Sequence, residues 1–261
     1  MKSYRFHHSA VLLLLTLSLI FIPTRSVMAE ETSSQDEWQF MGEIYLWGPE
    51  IDLGLANGAS VDLSLNDIIE SLDMVFMGTL GASKGKLNFF SDFIYLELTA
   101  DEKGKVDTPF GIVTVNDKLD VGMKAWVVQP TAAYTIFDTP KSTVDLALGA
   151  RYLWIETDLK LNVSGPLDTR TFKTTVSGHN WDGIIGVKGE TQLSNKWAAE
   201  AYLDAGTGDS DYTWQVLAGL KYKFDSFTGR FGYRHLKWEF DDGQLEELEV
   251  SGPYAGARFA F

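Results

Sequence analysis

The chain has 261 residues, no cysteine, a formal net charge of −14 and an aromatic content of 13%, with eight tryptophans. This acidity excludes nucleic acid and bare anionic lipid as natural partners, and the missing cysteines exclude disulfides and thiolate metal sites. Hydrophobic residues make up 45%, but beyond the first stretch they are dispersed in alternation, so no membrane-spanning helix is expected in the rest of the chain.

The first stretch reads as a secretory signal peptide. Lys2 and Arg5 precede the apolar run "AVLLLLTLSLIFI" (10–22), and Val27 and Ala29 form the small-residue pattern of a cleavage site. The run is shorter than the roughly 20 residues a spanning helix needs. The expected organisation is therefore a signal peptide over 1–29, a short N-terminal periplasmic segment over 30–37, and a folded body over 38–261. The signal segment holds three bases and no acid, so cleavage takes the net charge to −17. A chain that is exported, aromatic and alternating has a physical solution in a closed β-barrel. In lipid every backbone polar group must be paired internally, and a barrel needs only one apolar residue in two, because the other face looks into the lumen.

Ten strands of period two follow in order: Trp38–Trp47, Leu72–Ser83, Lys86–Leu98, Val121–Phe137, Thr143–Ile155, His179–Thr191, Lys196–Ala205, Asp211–Phe224, Gly229–Phe240 and Val250–Phe261. The expected fold is all-β: a transmembrane antiparallel up-and-down β-barrel of about ten strands, with eight or twelve left open. An even number puts both ends on one side. Four connections are tight and polar, at Ser83–Lys86, Asp138–Lys141, Gln192–Asn195 and Asp225–Thr228. Three of the others are about twenty residues long and contain β-ribbon patterns, one of them around Asn57-Gly58. These are expected to extend the strands outside the cell, with the short turns in the periplasm. "SLNDIIESL" (64–72) reads as a short amphipathic helix with Ser64 as N-cap.

The segment "YTWQVLAGLKYKF" sets the phase. Tyr212, Trp214, Val216, Ala218, Leu220, Tyr222 and Phe224 share one face, aromatic at both ends, as lipid-facing strands do. Applied to the other strands, the phase gives an aromatic girdle of Trp38, Tyr134, Trp154, Trp197, Trp214, Tyr222, Phe224 and Tyr233. Pro130 falls on the lipid face, where a paired strand accommodates it poorly. The inward charges are Glu43, Asp92, Asp145, Arg151, Asp182, Lys188, Glu190, Glu200, Asp204, Lys221, Lys223, Arg230, Arg234 and Arg258. Acids of the first strands face a largely basic wall from the last three, and pairing is expected, Arg258 with Glu43 among the pairs, because an uncompensated buried charge is costly. Such a lumen is either a narrow pore whose charges select solutes or a plug of salt bridges that substitutes for a hydrophobic core.

No catalytic constellation is legible. Of the histidines beyond the signal segment, neither His179 nor His235 lies two residues after an aspartate, so the acidic pair Asp209 and Asp211 has no Asp-x-His partner of the kind an omptin-type protease needs. Both histidines fall on the outward face. The single G-x-S-x-G, Gly81-Ala82-Ser83-Lys84-Gly85, falls at the tight turn between two expected strands and lacks the strand-to-helix context of a nucleophile elbow, which leaves only a Ser–His pair formed in space for a lipid hydrolase or acyltransferase. No metal-ligand spacing occurs, and no cofactor is expected. Acidic loops at 48–71 and 241–249 read as solvated surface, or as sites where divalent cations bridge to lipopolysaccharide.

The signal peptide, the strand and turn layout and the terminal "YAGARFAF" resemble small Gram-negative outer-membrane β-barrel proteins. "YLWGPEIDLGL", "LNDIIESLD", "SDFIYLEL" and "GYRHLKWEFDDG" resemble uncharacterised exported barrels of that kind. The resemblance implies an outer-membrane location with both termini periplasmic and contact with membrane lipid and lipopolysaccharide. It also implies that Phe261 and Phe259, with Ala257 and Ala255, serve as the signal read by the barrel-insertion machinery. The function expected is a narrow porin-like channel or a structural or binding barrel, not an enzyme, the alternative being a lipid-modifying enzyme. A soluble lipocalin-type barrel is disfavoured by the outward tryptophans.

Overall fold

The computed structural model describes residues 37–55, 58, 60–102, 105–108, 111–114, 119–164, 169–241 and 245–261. The signal-peptide reading and nearly all of the expected periplasmic segment lie outside them. Fourteen strands and one helix follow in chain order: β1 (Gln39–Trp47), β2 (Glu50–Leu55), β3 (Ser60–Leu63), α1 (Leu65–Ser71), β4 (Leu72–Lys84), β5 (Leu87–Glu102), β6 (Lys105–Thr108), β7 (Gly111–Thr114), β8 (Leu119–Asp138), β9 (Ser142–Ser164), β10 (Thr169–Gln192), β11 (Trp197–Gly208), β12 (Tyr212–Lys223), β13 (Thr228–Glu239) and β14 (Leu245–Ala260).

Ten of these strands form the wall, in the order β1-β4-β5-β8-β9-β10-β11-β12-β13-β14, and β14 pairs back on β1 to close it. Neighbours in the wall pair antiparallel, so this is a closed up-and-down barrel of ten strands without a free edge. The two ends of the barrel meet. Phe40 and Phe261 exchange a pair of backbone hydrogen bonds, each 3.0 Å.

The four tight connections join successive strands at that same end. Gly85 adopts φ 59° in the two-residue turn between Lys84 and Leu87, a conformation that costs a glycine nothing. Thr139 accepts from the Ser142 amide through Oγ1 at 3.0 Å, and Ser194 accepts likewise from Trp197 at 3.2 Å. At the other end the strands run on. β9 and β10 stay paired out to Ser164 and Thr169, so the stretch read as a long connection between Ile155 and His179 is mostly strand. β6 and β7 form a separate two-stranded ribbon.

β1 and β2 are one strand broken at Gly48-Pro49, because Pro49 has no amide to give the ladder. β14 pairs with β1 from Tyr254 to Ala260 and with β2 from Leu245 to Ser251. Gly252 makes the break fit, since a Cβ there would lie 2.9 Å from Pro49 Cα. The β2–β3 hairpin leads into α1. There Ser64 accepts from the Asp67 amide and Asp67 accepts from the Ser64 amide, a reciprocal cap.

The outward face is apolar. Ile44 and Leu46 are 65% exposed and Leu148 is 68% exposed, values that suit a hydrocarbon solvent and not water. At the short-turn end Trp38 packs on Phe89, and Phe231, Trp197, Tyr222, Phe224, Phe227 and Phe259 form a chain of ring contacts in that order. Near the opposite end Tyr95 packs on Trp126, Tyr152 on Trp181, and Trp214 on His235, with centroids 4.5–4.7 Å apart. Just beyond this second girdle outward charges reappear, with Lys124 bonded to Glu97 at 3.0 Å and Lys237 to Glu239 and Glu247 at 3.0 and 3.2 Å. Aromatic rings mark the two edges of the apolar belt because their bodies are apolar and their polar tips want water.

Pro130 sits exposed on this belt. It pairs with Ser91 of β5, while the β8–β9 ladder skips Gln129 and Pro130 and resumes in unchanged register at Thr131. The wall accommodates the proline by omitting ladder bonds on one side only.

Candidate functional site: a two-layered lumen

The lumen has two layers. The short-turn half is polar, and most of its charges are the ones the alternation places inside. Glu43 is almost fully buried and accepts from Arg258 through Nε at 2.9 Å and Nη2 at 2.8 Å, and also from Arg230. Arg230 reaches Glu200 as well, through Nε at 2.6 Å. Lys221 bridges Glu190 and Glu200. Above this layer Arg234 donates to Asp92 at 2.8 Å, to Tyr45 Oη at 3.1 Å and to Gln215 at 2.7 Å. The guanidinium also lies over the Trp47 ring, 4.9 Å from its centroid, a cation–π contact. On the far wall Arg151, with no exposed surface, donates to Asp204 at 2.5 and 2.7 Å, to Gln129 Oε1 at 3.0 Å and to Thr213 Oγ1 at 2.7 Å.

These contacts join acids of early strands to bases of late ones, as with Glu43 and Asp92, but Arg151 and Asp204 run the other way. Asp145 accepts from Thr135 Oγ1 at 2.7 Å. Asp182 is buried and accepts from the Ser210 amide and hydroxyl at 3.0 and 2.7 Å. Lys223 is exposed at the end of β12 and stands apart from the network. Lys188 points into a central cavity, its ammonium 5.4 Å from the Phe90 ring centroid.

Tyr254 ties the closing strand to the network. Glu200, Gly219, Gly232 and Tyr254 are successive register partners across β11, β12, β13 and β14. The ring crosses over both glycines and its hydroxyl donates to Glu200 Oε1 at 3.0 Å. A Cβ on Gly232 would lie 2.9 Å from Tyr254 Cε1, so only glycine leaves the ring its path.

The loop-side half of the lumen is apolar, so the plug of salt bridges, one of the two readings of the lumen, describes only the short-turn half. Trp47, Ile94, Leu96, Leu98, Met123, Val127, Leu153, Ile155, Leu236 and Trp238 all point inward and are buried in one cluster. The β2–β3 ribbon and α1 add Ile51, Leu53, Leu63 and Ile68 to the same cluster. Each such side chain contributes roughly 1.5–3 kcal/mol. Alternation alone did not reveal this layer, but a second signal was present. Along each inward face charge gives way to apolar residues toward the loop end: Asp92 then Ile94, Leu96 and Leu98; Arg151 then Leu153 and Ile155; Arg234 then Leu236 and Trp238.

Within the lumen lies a cavity of about 90 Å³, whose lining mixes the charged Lys188, Arg230, Arg258 and Glu200 with Phe90, Leu217, Tyr202 and Tyr254. Among the described residues no group of three or more His, Cys, Asp or Glu side chains is disposed to hold a metal ion. On the outer face His235, Ser251 and Glu249 come together, with Ser251 the register partner of His235. His235 Nδ1 is 3.8 Å from Glu249. Its buried Nε2 has no partner among the described residues, and Ser251 bonds Tyr233 Oη at 3.2 Å instead.

No protein-family model matches the chain, and no curated protein matches it in sequence. Among solved structures it is similar to the toluene transporter TodX of P. putida (10% identity, 86% of this chain and 90% of that one, TM-score 0.40). It is also similar to the outer membrane protease OmpT of Escherichia coli (9%, 87% and 98%, TM-score 0.44) and to Neisserial surface protein A (14%, 86% and 97%, TM-score 0.36). At these distances no site residue and no activity is carried over from them.

Proposed function

We propose that this protein is a monomeric barrel of a Gram-negative outer membrane that does not conduct, and that acts as a structural and binding scaffold presenting β-ribbons at the cell surface. The apolar belt between two aromatic girdles supports the membrane setting. The short turns then lie in the periplasm, with lipopolysaccharide around the loop-side girdle, divalent cations at the acidic loops and the insertion machinery reading Phe259 and Phe261 during assembly. One observation carries the choice of scaffold over porin-like channel: the loop-side half of the lumen is filled by packed apolar side chains, down to Leu236 and Trp238 with no exposed surface. Ten strands enclose a bore that side chains can fill, and a dry constriction of this kind passes neither ions nor solutes.

The reading is also non-enzymatic. Ser251 accepts from Tyr233 Oη and makes no hydrogen bond with His235, whereas a nucleophile needs its base within hydrogen-bond reach. Planar-bilayer recordings test the reading. The wild type, Arg230→Ala and Arg234→Ala are expected to give no unitary conductance, and ohmic steps from the refolded wild type would sink it. Unchanged lipid composition in an overexpressing strain is the matching expectation for the absence of lipid-modifying activity.

A further inference from the structure

We infer that the central cavity is a blind binding pocket for a small organic carboxylate, with Lys188 as its counter-charge. This rests on the non-conducting reading above, because the apolar layer closes the lumen from the loop side and leaves the short-turn end as the way in. The first observation is an imbalance of partners. Arg151, Lys221, Arg230, Arg234 and Arg258 each have a carboxylate within 4.0 Å. Among the described residues Lys188 has none. The residue opposite it in the ladder is Asp145, which accepts from Thr135 Oγ1. Glu43, Glu190 and Glu200 are engaged by Arg230, Arg258 and Lys221. Half-buried beside Arg258, Lys221 and Arg230, this ammonium has only the Asp145 carboxylate, beyond 4.0 Å, to offset them, an unfavourable arrangement that one further negative charge from outside relieves.

The second observation concerns the rest of the wall. Interspersed with the cations, the lining also carries Phe90, Leu217, Ala201 and Met41. An inorganic anion leaves that apolar surface unfilled, whereas a short carboxylate places its charge at Lys188 and its hydrocarbon against Phe90 and Leu217. Pockets that combine a mostly apolar lining with a few placed polar groups are the usual form of small-molecule sites. A cation is disfavoured, because the carboxylates here already carry guanidinium and ammonium partners.

The experiment is calorimetric titration of the detergent-solubilised full-length barrel with butyrate, with 1-butanol and chloride as controls. Saturable butyrate binding is expected, with no binding of 1-butanol and no more than weak competition from chloride. Lys188→Met is expected to raise the dissociation constant at least tenfold, and Lys188→Arg to restore most of the affinity. Heat-modifiable gel migration verifies that each variant is folded. No butyrate binding by folded wild type, or binding that Lys188→Met leaves unchanged, overturns the inference. Chloride that binds as tightly as butyrate overturns the carboxylate assignment. Conductance is recorded on the same preparation, so a barrel that conducts defeats the scaffold reading, and a silent barrel that binds no butyrate defeats the pocket alone.

Discussion

Glu43 on β1 and Arg258 on β14 are register partners across the seam that closes the barrel, and their side chains meet in the lumen at 2.8 and 2.9 Å. The closing strand is thereby locked to the first by a charge pair as well as by its ladder. Glu43 also serves Arg230, so it is the shared anion of two guanidiniums. Glu43→Gln is expected to destabilise the barrel by about 3 kcal/mol, the cost of breaking a buried pair from one side. Arg258→Ala should cost less, about 1.5–2 kcal/mol, because Glu43 keeps Arg230 and the loss is confined to the charge-assisted contacts of one guanidinium. The charge swap Glu43→Arg with Arg258→Glu should fail to rescue, since it sets a new arginine against Arg230. Urea unfolding in detergent, read by gel mobility, measures all three, and full rescue by the swap would contradict the shared-anion arrangement.

Arg151 and Asp204 form the most enclosed pair, with no exposed side-chain surface on either partner. A pair so placed has lost its hydration, and its attraction offsets that loss only while both partners remain. Asp204→Ala is therefore expected to cost about 3–5 kcal/mol, and Arg151→Met with Asp204→Leu much less than the sum of the single changes. A double-mutant cycle on unfolding free energy measures the coupling. Additive effects would mean that Gln129 and Thr213, not the carboxylate, hold the guanidinium.

These two pairs mark what was legible in the sequence. Glu43 and Arg258 were foreseeable together, because an even-stranded barrel makes the first and last strands neighbours and alternation sets both residues inward. The ten wall strands and the Ser64 cap were legible for similar local reasons. Arg151 and Asp204 each read as inward, but their meeting was not legible. They lie on β9 and β11, two strands apart, and their contact depends on strand tilt and stagger, which alternation does not encode. The apolar layer was missed for a different reason. Period-two reading sorts residues between faces and is blind to a gradient along one face, which is where Asp92, Ile94, Leu96 and Leu98 carried the information.

Tyr254 reaches Glu200 only because Gly219 and Gly232 let its ring cross two strands. Gly232→Ala puts a methyl group 2.6 Å from Gly219 Cα and 2.9 Å from Tyr254 Cε1. The expected cost is about 1–3 kcal/mol of overpacking, together with loss of the Tyr254–Glu200 bond. Tyr254→Phe removes the bond to the carboxylate without the clash and is expected to cost about 1.5–3 kcal/mol. In the Tyr254→Ala background Gly232→Ala should keep most of its penalty, because the methyl still meets the Ala218 carbonyl oxygen and, at 2.6 Å, Gly219 Cα, both backbone atoms of β12. A Gly232→Ala change that becomes neutral in that background would place the strain in the ring alone.

The β2–β3 ribbon is predicted to grip the barrel more firmly in acid. Asp52 is the register partner of Asp62 on β3 and of Glu249 on β14. Partial burial raises its pKa first, and the neighbouring charges of Asp62, Glu249 and Glu50 raise it further. A carboxyl whose folded pKa is raised binds its proton more tightly in the folded state. Its contribution is thus fully present below the unfolded value of about 3.9 and is lost as pH rises through the folded value. At neutral pH the ribbon is held down by Ile51, Leu53, Leu63 and Ile68 against this repulsion. Limited proteolysis around Asn57 and Gly58 should accordingly be slower near pH 4.5 than near pH 7, using a protease active at both. Asp52→Asn should slow cleavage at pH 7 and flatten the pH dependence. An unchanged pH profile in Asp52→Asn would assign the effect to other carboxylates of the loop side.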